Sequence, residues 1–157
     1  MNTAVKAKIP GKLTLAYILE QLQEDGIISP QQTAQLYAGL TRDTEINTHP
    51  LIIVADQGWQ SITKPPYPMS LEQLTRWLAG KSGQTYLRVD PLKIDVNKVT
   101  GIVSQAYASK LHILPVAVND KELTIATCEP YIDSWEAELA KISNKKIKRV
   151  IVNPRDI

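Results

Sequence analysis

The sequence predicts an α+β fold, in which a helical N-terminal segment precedes a small β-α-β-β-α-β unit with a three- or four-stranded sheet. Between residues 86 and 157, strand-like and helix-like patterns alternate without interruption. Nearly every boundary there carries a turn or cap residue, whereas residues 13–40 show only helical spacing. The 43% hydrophobic and 22% charged residues are typical of a globular protein with a buried core. The leading topology is the split β-α-β arrangement of ferredoxin-like folds.

Residues 1–12 are predicted to form a flexible arm, because lysines, a proline and a glycine leave no sustained hydrophobic period. The segment that follows has apolar residues on one helical face, namely Leu15, Ile18, Leu19 and Leu22. Thr14 precedes them as a helix N-cap, and Gly26 follows them as a C-terminal stop. These features predict a helix of about three turns.

A second helix is predicted after residues 29–32 (SPQQ), which combine an N-cap, a proline at the first helical position and a capping-box glutamine. Two helices joined by a short turn also occur in helix-turn-helix proteins, so a DNA-binding module is an alternative function. However, residues 30–40 contain no Arg or Lys to neutralise phosphates. The net charge of +2 likewise indicates neither nucleic acid nor an anionic membrane as partner. The sequence therefore favours a packed helical hairpin.

The middle of the chain contains the predicted internal boundary. Residues 51–55 are an apolar run that fits a buried strand or a short core segment. Residues 63–69 contain three prolines, which disfavour helix and sheet pairing, and they are predicted to be an extended linker. This linker would separate a helical subdomain, 13–62, from an α/β subdomain, 70–157.

The α/β subdomain is predicted to begin with a helix that has Ser70 and Gln73 as a capping box and ends at Gly80. The inward residues of this helix have helical spacing, and they are Leu71, Leu74, Trp77 and Leu78. Residues 86–89 then predict an opening strand. Asp95 is the expected N-cap of one amphipathic helix, whose apolar residues are Val96, Val99, Ile102, Val103, Ala106 and Tyr107.

The remaining elements of the unit follow from shorter patterns. Two β-branched runs, 113–118 and 123–127, are separated by a polar connection of hairpin length. Asp133 and Glu136 form a predicted capping box for the last helix. A closing strand at 147–152 completes the β-α-β-β-α-β order.

The sequence lacks the motifs of catalysis and metal binding. Residues 80–83 (GKSG) have letters of a phosphate-binding loop but lack its preceding glycine and follow a helix, so they are predicted to be a helix C-terminal turn. Neither His49 nor His112 has a second zinc ligand nearby in sequence. The single cysteine, Cys128, follows a strand and is predicted to be a small core residue. We therefore predict no enzyme activity, catalytic residue, cofactor or metal in this chain.

Several stretches resemble the N-terminal domain of the type II secretion and type IV pilus assembly ATPases. They are RVDPLKID (88–95), AYA (106–108), ILPV (113–116), IATCEP (125–130) and NPRDI (153–157). The resemblance implies a noncatalytic adaptor domain of a bacterial cytoplasmic ATPase, whose motor domain would lie beyond residue 157. ATP and Mg²⁺ are accordingly expected only for that motor domain, which would also form the hexamer.

The resemblance also implies a protein partner. In the type II system the corresponding domain is similar to a docking module for the cytoplasmic domain of an inner-membrane platform protein, and in pilus systems it faces other platform or regulatory proteins. The exposed polar positions of the matching stretch, Arg88, Asp90 and Lys93, are the candidate partner-binding residues. No apolar run approaches the roughly 20 residues that span a bilayer. We therefore expect a cytoplasmic domain that is peripheral to the inner membrane through its partner and has no direct membrane insertion.

Some N-terminal domains of this family bind cyclic di-GMP, so a regulatory cyclic di-GMP-binding domain is an alternative function. In those domains, paired Arg-Leu-Gly motifs hold the guanines and phosphates. This sequence contains no Arg-Leu-Gly and no Leu-Gly dipeptide. The nearest analogue, residues 12–14 (KLT), lacks both the arginine fork and the close backbone approach that glycine permits. The adaptor function is therefore favoured.

Overall fold

The computed structural model describes residues 11–157 of the chain. Most of the predicted flexible arm lies outside the described residues. The described chain forms two compact units, Lys12–Thr75 and Arg76–Ile157.

The first unit is helical, as the sequence predicts. Its helices are Leu15–Glu24 (α1), Pro30–Gly39 (α2), Arg42–Asn47 (α3) and Pro50–Ala55 (α4). The apolar run at 51–55 is therefore helical, because Pro50 occupies a first-turn position and His49 Nδ1 accepts the Leu51 N–H at 3.2 Å. Helix α3 was not predicted, although Thr41 caps it by accepting the Thr44 N–H.

The predicted ends of α1 are confirmed. The Thr14 hydroxyl accepts the Tyr17 N–H at 3.1 Å. At the other end, Gly26 has φ +72°, and the Ile27 N–H donates to the Leu22 carbonyl at 2.9 Å. A glycine in the left-handed region followed by this long backbone hydrogen bond is a Schellman ending, which satisfies carbonyls that the helix leaves unpaired. The capping box of α2 is confirmed as well, since Ser29 and Gln32 exchange both hydrogen bonds.

Residues 63–69 fold back on the first unit's own chain. The Ser61 N–H donates to the Tyr67 carbonyl at 2.9 Å, and the Met69 N–H donates to the Trp59 carbonyl at 3.0 Å. These residues therefore lie inside the first unit, whereas the sequence predicted them as a linker. The division between the two units falls instead between Thr75 and Arg76, within helix Leu71–Ser82 (α5).

Helix α5 ends later than predicted. It continues through Gly80 to Ser82, and Gly83 has the positive φ, +73°, of a helix-ending glycine. The Gln84 N–H donates to the Ala79 carbonyl at 2.8 Å and closes the end. Residues 80–83 are thus the C-terminal turn of a helix, as the sequence predicts.

The second unit contains a four-stranded mixed sheet with the order β1-β4-β3-β2. Its strands are Thr85–Tyr86 (β1), Ile113–Val118 (β2), Glu122–Thr127 (β3) and Lys146–Ile151 (β4). Strands β2 and β3 form the predicted antiparallel hairpin, and β4 runs parallel to both β3 and β1. The α+β class with a helical segment followed by this sheet is confirmed.

The strand order corrects the ferredoxin-like topology. A split β-α-β arrangement places another strand between the two parallel strands that a helix connects. Here β3 and β4 are direct neighbours, although a helix connects them. The opening strand is also shorter than the predicted 86–89, because β1 pairs with β4 only through Thr85 and Tyr86.

The single helix predicted from residue 96 onward is wrong. The chain forms two short helices, Val96–Thr100 (α6) and Gln105–Leu111 (α7). Asp95 caps α6 as predicted, but Ser104 caps a second start by accepting the Tyr107 N–H at 3.1 Å. The break between the two helices contains Val103, which is buried.

The capping box predicted at Asp133 and Glu136 is also wrong. Helix Glu136–Ser143 (α8) starts at Trp135, which makes no side-chain cap hydrogen bond, and the Glu136 N–H donates to the Asp133 backbone carbonyl. Trp135 is buried, and its indole N–H donates to the Ile132 carbonyl at 3.1 Å. Burial of this large side chain therefore determines how the chain enters α8.

Both faces of the sheet are apolar. One face packs the buried residues Val103, Ala108, Ile113, Leu123, Ile125, Trp135 and Leu139. The other packs Val116, Ala126, Val150 and Val152, together with the partly buried Leu87, Val89, Leu114 and Ile94. Leu87, Val89 and Ile94 therefore pack the segment 87–94 against this second face.

Candidate partner-binding surface

The three polar residues predicted to contact a partner lie on one exposed turn. Arg88, Asp90 and Lys93 are all solvent-exposed. Asp90 caps the 3-10 helix Pro91–Lys93, because its Oδ1 accepts the Leu92 N–H at 3.0 Å. One polar residue of the three thus has a structural role in shaping the turn. Their contribution to binding stays a prediction.

Leu92 is the most exposed large apolar residue of the described chain, with 94% of its surface accessible. The turn that carries it is fixed from both sides, since Val89 and Ile94 pack against the second face of the sheet. A single exposed leucine is ordinary on a protein surface. Leu92 is different because a fixed turn carries it beside an apolar groove.

The groove has a volume of about 540 Å³. Its lining residues are Pro91, Ile94, Val96, Val99, Thr100, Val103, Gln105, Ala108, Ser109, His112, Ile113, Leu114, Pro115 and Ile157. Most of them are apolar, and Val96 and Ile157 on its rim are exposed by 60% and 41%. A concave apolar surface with exposed aliphatic side chains at its edge is typical of a site for another molecule.

Helices and the sheet edge together position this groove. Helices α6 and α7 pack against β2, which is an outer strand of the sheet. Pro115 lies within β2, and the register shifts between Pro115 and Ala117. Proline and a bulge both obstruct pairing of an edge strand with another chain. The apolar groove, rather than backbone pairing along β2, is therefore the surface suited to contact.

The apolar part of this site was missed from the sequence. Leu92 follows a proline and precedes a lysine in the matching stretch, and helical spacing predicts Val96 on the apolar face of a long helix. The signal that was available is the pair of caps at Asp90 and Asp95, which enclose Leu92 in a short turn where it cannot reach the core.

The groups considered for catalysis have structural roles. Burial, and secondly the nearby charge of Glu129, raise the pKa of the Cys128 thiol to about 12, so it is protonated and unreactive at neutral pH. His49 caps a helix, and His112 ends α7 in the left-handed region with φ +55°. In residues 11–157, no group of three or more His, Cys, Asp or Glu side chains could hold a metal ion.

Comparison with known proteins identifies the family. Residues 82–157 match the family model of the MshEN domain. Over 139 residues, the chain is 32% identical to the type IV pilus assembly ATPase TfpB of Acinetobacter baylyi (strain ATCC 33305 / BD413 / ADP1), covering 88% of this chain and 24% of that protein. The chain therefore spans about a quarter of the length of this curated relative.

Two solved structures align with most of this chain. The structure of MshE with cdg (cyclic di-GMP) has a TM-score of 0.58 at 18% identity, covering 88% of this chain and 91% of that chain. The N-terminal domain of XpsE has a TM-score of 0.49 at 12% identity, covering 92% and 91%.

The fold and the family match define an N-terminal domain of a large ATPase. The chain belongs to the family of N-terminal domains of type II secretion and type IV pilus assembly ATPases. The family predicted from the resemblance is thus confirmed. Among the described residues, no helix has both the length and the apolar character needed to cross a membrane.

Proposed function

We propose that this chain is a noncatalytic adaptor, which docks the ATPase motor to the cytoplasmic domain of an inner-membrane platform protein. The motor domain, with its ATP, Mg²⁺ and hexameric assembly, belongs to the same polypeptide. The domain itself is cytoplasmic and reaches the membrane only through this partner. The adaptor binds through the turn at 88–93 and the adjoining groove.

The observation that supports docking is the exposure of Leu92, at 94%, on a turn that the sheet holds in place. A fixed apolar side chain binds a partner with little loss of conformational entropy, because its backbone is already ordered. Arg88 and Lys93 flank it as exposed polar contacts. This combination of an apolar anchor and a polar rim is usual in protein interfaces.

The test is the affinity of residues 1–157 for the purified cytoplasmic domain of the cognate platform protein, measured by calorimetry. We expect saturable binding by the wild-type chain and a rise of the Kd by about tenfold in Leu92→Ala, the usual effect of truncating an interface anchor. Ile142→Ala is the matched control, because Ile142 is also exposed, by 61%, but lies in helix α8 rather than on the turn 91–93. It should bind like the wild type.

Two results would contradict the proposal. Absence of binding by the wild-type chain would show that the platform protein is not the partner. Equal affinities of the Leu92→Ala and Ile142→Ala variants would show that docking uses another surface.

A cyclic di-GMP-binding regulatory domain is the second candidate, and the similarity in fold to MshE with cdg favours it. However, the nearest analogue of the Arg-Leu-Gly motif in this chain is formed by Lys12, Leu13 and Thr14. Leu13 is buried, and Thr14 is the N-cap of α1. In this analogue, Leu13 and Thr14 thus have structural roles, and Lys12 stands where the motif would require an arginine.

Calorimetric titration with cyclic di-GMP distinguishes the two candidates. We expect no heat of binding at micromolar ligand, because Lys12 cannot supply the planar bidentate donor of an arginine. The variant Lys12→Arg/Thr14→Gly restores the motif letters and serves as the comparison. Saturable binding with unit stoichiometry by the wild-type chain would favour the nucleotide sensor over the adaptor.

A further inference from the structure

The segments that line the groove carry more cations than carboxylates. The cationic residues are Arg88, Lys93, Lys98, Lys110 and Arg155, and the carboxylates are Asp90, Asp95 and Asp156. Five cations against three carboxylates give these segments a positive net charge.

Three lysines are sequence neighbours of residues that line the groove. Lys93 lies between the lining residues Pro91 and Ile94, and Lys98 precedes the lining residue Val99. Lys110 follows Ser109, which also lines the groove. All three lysines are exposed, and within residues 11–157 their ammonium groups take part in no hydrogen bond or ion pair.

We propose that the occupant of this groove is an acidic amphipathic segment of the protein partner. Its apolar side chains enter the groove beside Leu92 and Val96, and its carboxylates face Lys93, Lys98 and Lys110. This inference rests on the docking function proposed above and adds the chemical class of the partner's binding segment. An amphipathic helix lying in an apolar groove is a common mode of peptide recognition.

The lysine charges and the apolar lining of the groove have different effects on binding. Burial of apolar side chains provides most of the affinity. The lysines accelerate the encounter and select an acidic segment over a basic one, and salt screens this part of the attraction. The complex should therefore weaken as the salt concentration rises, but it should not be abolished.

An anionic membrane is the competing occupant, because exposed lysines near an apolar side chain also attract lipid surfaces. The shape of the surface favours a protein segment. The apolar surface is a concave groove of about 540 Å³, which a flat lipid surface does not fill.

The first experiment reverses the three charges together. Lys93→Glu/Lys98→Glu/Lys110→Glu is compared with the control Lys64→Glu/Lys121→Glu/Lys141→Glu, which changes the net charge equally at exposed lysines that are not sequence neighbours of lining residues. Circular dichroism verifies the fold of both. We expect the Kd for the platform domain to rise at least about tenfold in the first variant and little in the control. The salt dependence should decrease only in the first variant.

The second experiment uses a defined probe. Two synthetic amphipathic helical peptides of equal length share leucines on one face and carry either Glu or Lys on the other, and binding is followed by fluorescence anisotropy. The wild-type chain should bind the Glu peptide at least about tenfold more tightly than the Lys peptide. The triple groove variant should lose this preference. Vesicles of phosphatidylcholine with phosphatidylglycerol are the membrane probe, and no binding to them is expected.

The outcomes separate this inference from the docking function. If the platform domain binds but the triple groove variant binds it equally well, docking stands and the acidic segment is wrong. If the platform domain does not bind at all, the docking function fails, and the peptide pair still decides the chemistry of the groove. Three results would contradict the proposal that an acidic segment occupies the groove. They are equal binding of both peptides, no binding of the Glu peptide, and binding to the anionic vesicles.

Discussion

Val103 and Leu92 belong to the same stretch of the second unit, but they have opposite environments. Val103 is 3% exposed and packs with Leu123, Ile125 and Leu139 against one face of the sheet. Leu92 is 94% exposed at the tip of a capped turn. The core region around Val103 therefore stabilises the fold, whereas the turn around Leu92 presents an apolar side chain to solvent.

The comparison shows that burial within this stretch depends on where helices begin. Caps at Asp90, Asp95 and Ser104 divide it into a 3-10 turn and two short helices. Had residues 96–107 formed one helix, Val96 and Val103 would share its apolar face. With the break, Val96 is 60% exposed and lies on the rim of the groove.

The largest expected effect concerns Cys128, which is buried, as Val103 is. The rise of its thiol pKa from 9.0 to about 12 lowers the thiolate fraction near neutral pH by about a thousandfold. Labelling of the native protein with a thiol reagent should be slower than labelling in urea by at least this factor. Because Cys128 is the single cysteine, the signal has one source. Rapid labelling of the native protein would place this residue at the surface.

The same thiol makes stability dependent on pH at the alkaline end. The folded-state pKa is raised, so the unfolded chain loses its proton first as the pH increases. The stability that the folded state gains from keeping this thiol protonated is complete below about pH 9. It is lost progressively as the pH rises to about 12. Urea unfolding of Cys128→Ala should show a weaker decline over this range than the wild type.

The next prediction tests how much the buried Val103 contributes to stability, by means of the variant Val103→Ala. Truncation of this buried side chain should lower the free energy of unfolding by about 1 to 4 kcal/mol, through lost burial and the cavity left behind. Val96→Ala is the matched control, because it is the same substitution at a 60% exposed position. It should change stability by less than about 0.5 kcal/mol. Equal urea midpoints for the two variants would mean that the two valines have similar environments.

The cap that separates the two helices should have a smaller effect. Ser104→Ala removes the acceptor of the Tyr107 N–H and should cost about 1 kcal/mol in urea unfolding. Ser134→Ala serves as the control, because Ser134 is exposed and caps no helix. A Ser104→Ala variant as stable as this control would indicate that the helix break does not depend on the cap.

The smallest expected effect on stability is that of Leu92→Ala. Since the leucine side chain is almost fully exposed, the free energy of unfolding should stay within about 0.5 kcal/mol of the wild type. Together with the expected loss of partner affinity, this would separate a binding role from a folding role. A clear loss of stability would show that Leu92 packs against the protein.

The sequence predicted the elements whose signals are local. Thr14 and Gly26 mark the ends of α1, and Ser29 with Gln32 forms a complete capping box. These signals succeed because each depends on hydrogen bonds between residues a few positions apart. The hairpin of β2 and β3 was also readable, since a short polar connection leaves little choice but antiparallel pairing.

Local signals failed where packing competes with them. Asp133 and Glu136 have the same spacing as a working capping box, but burial of Trp135 determines how the chain enters α8. Gly80 is an acceptable helix end by sequence, but the helix continues until Gly83 adopts the left-handed conformation. At Trp135, a small local preference is outweighed by the greater free energy of burying a large side chain.

By itself, the sequence determined the class of the fold and the order of the strands along the chain in the second unit, because composition, period and caps are properties of neighbouring residues. The family was implied separately, by the resemblance of several short stretches. Only the tertiary structure decided the strand order, the inclusion of 63–69 in the first unit and the exposure of Leu92. These features depend on contacts between residues far apart in the chain, such as the pairing of β1 with β4. Such contacts form when apolar surfaces of distant segments meet, and no short-range pattern specifies which segments those are.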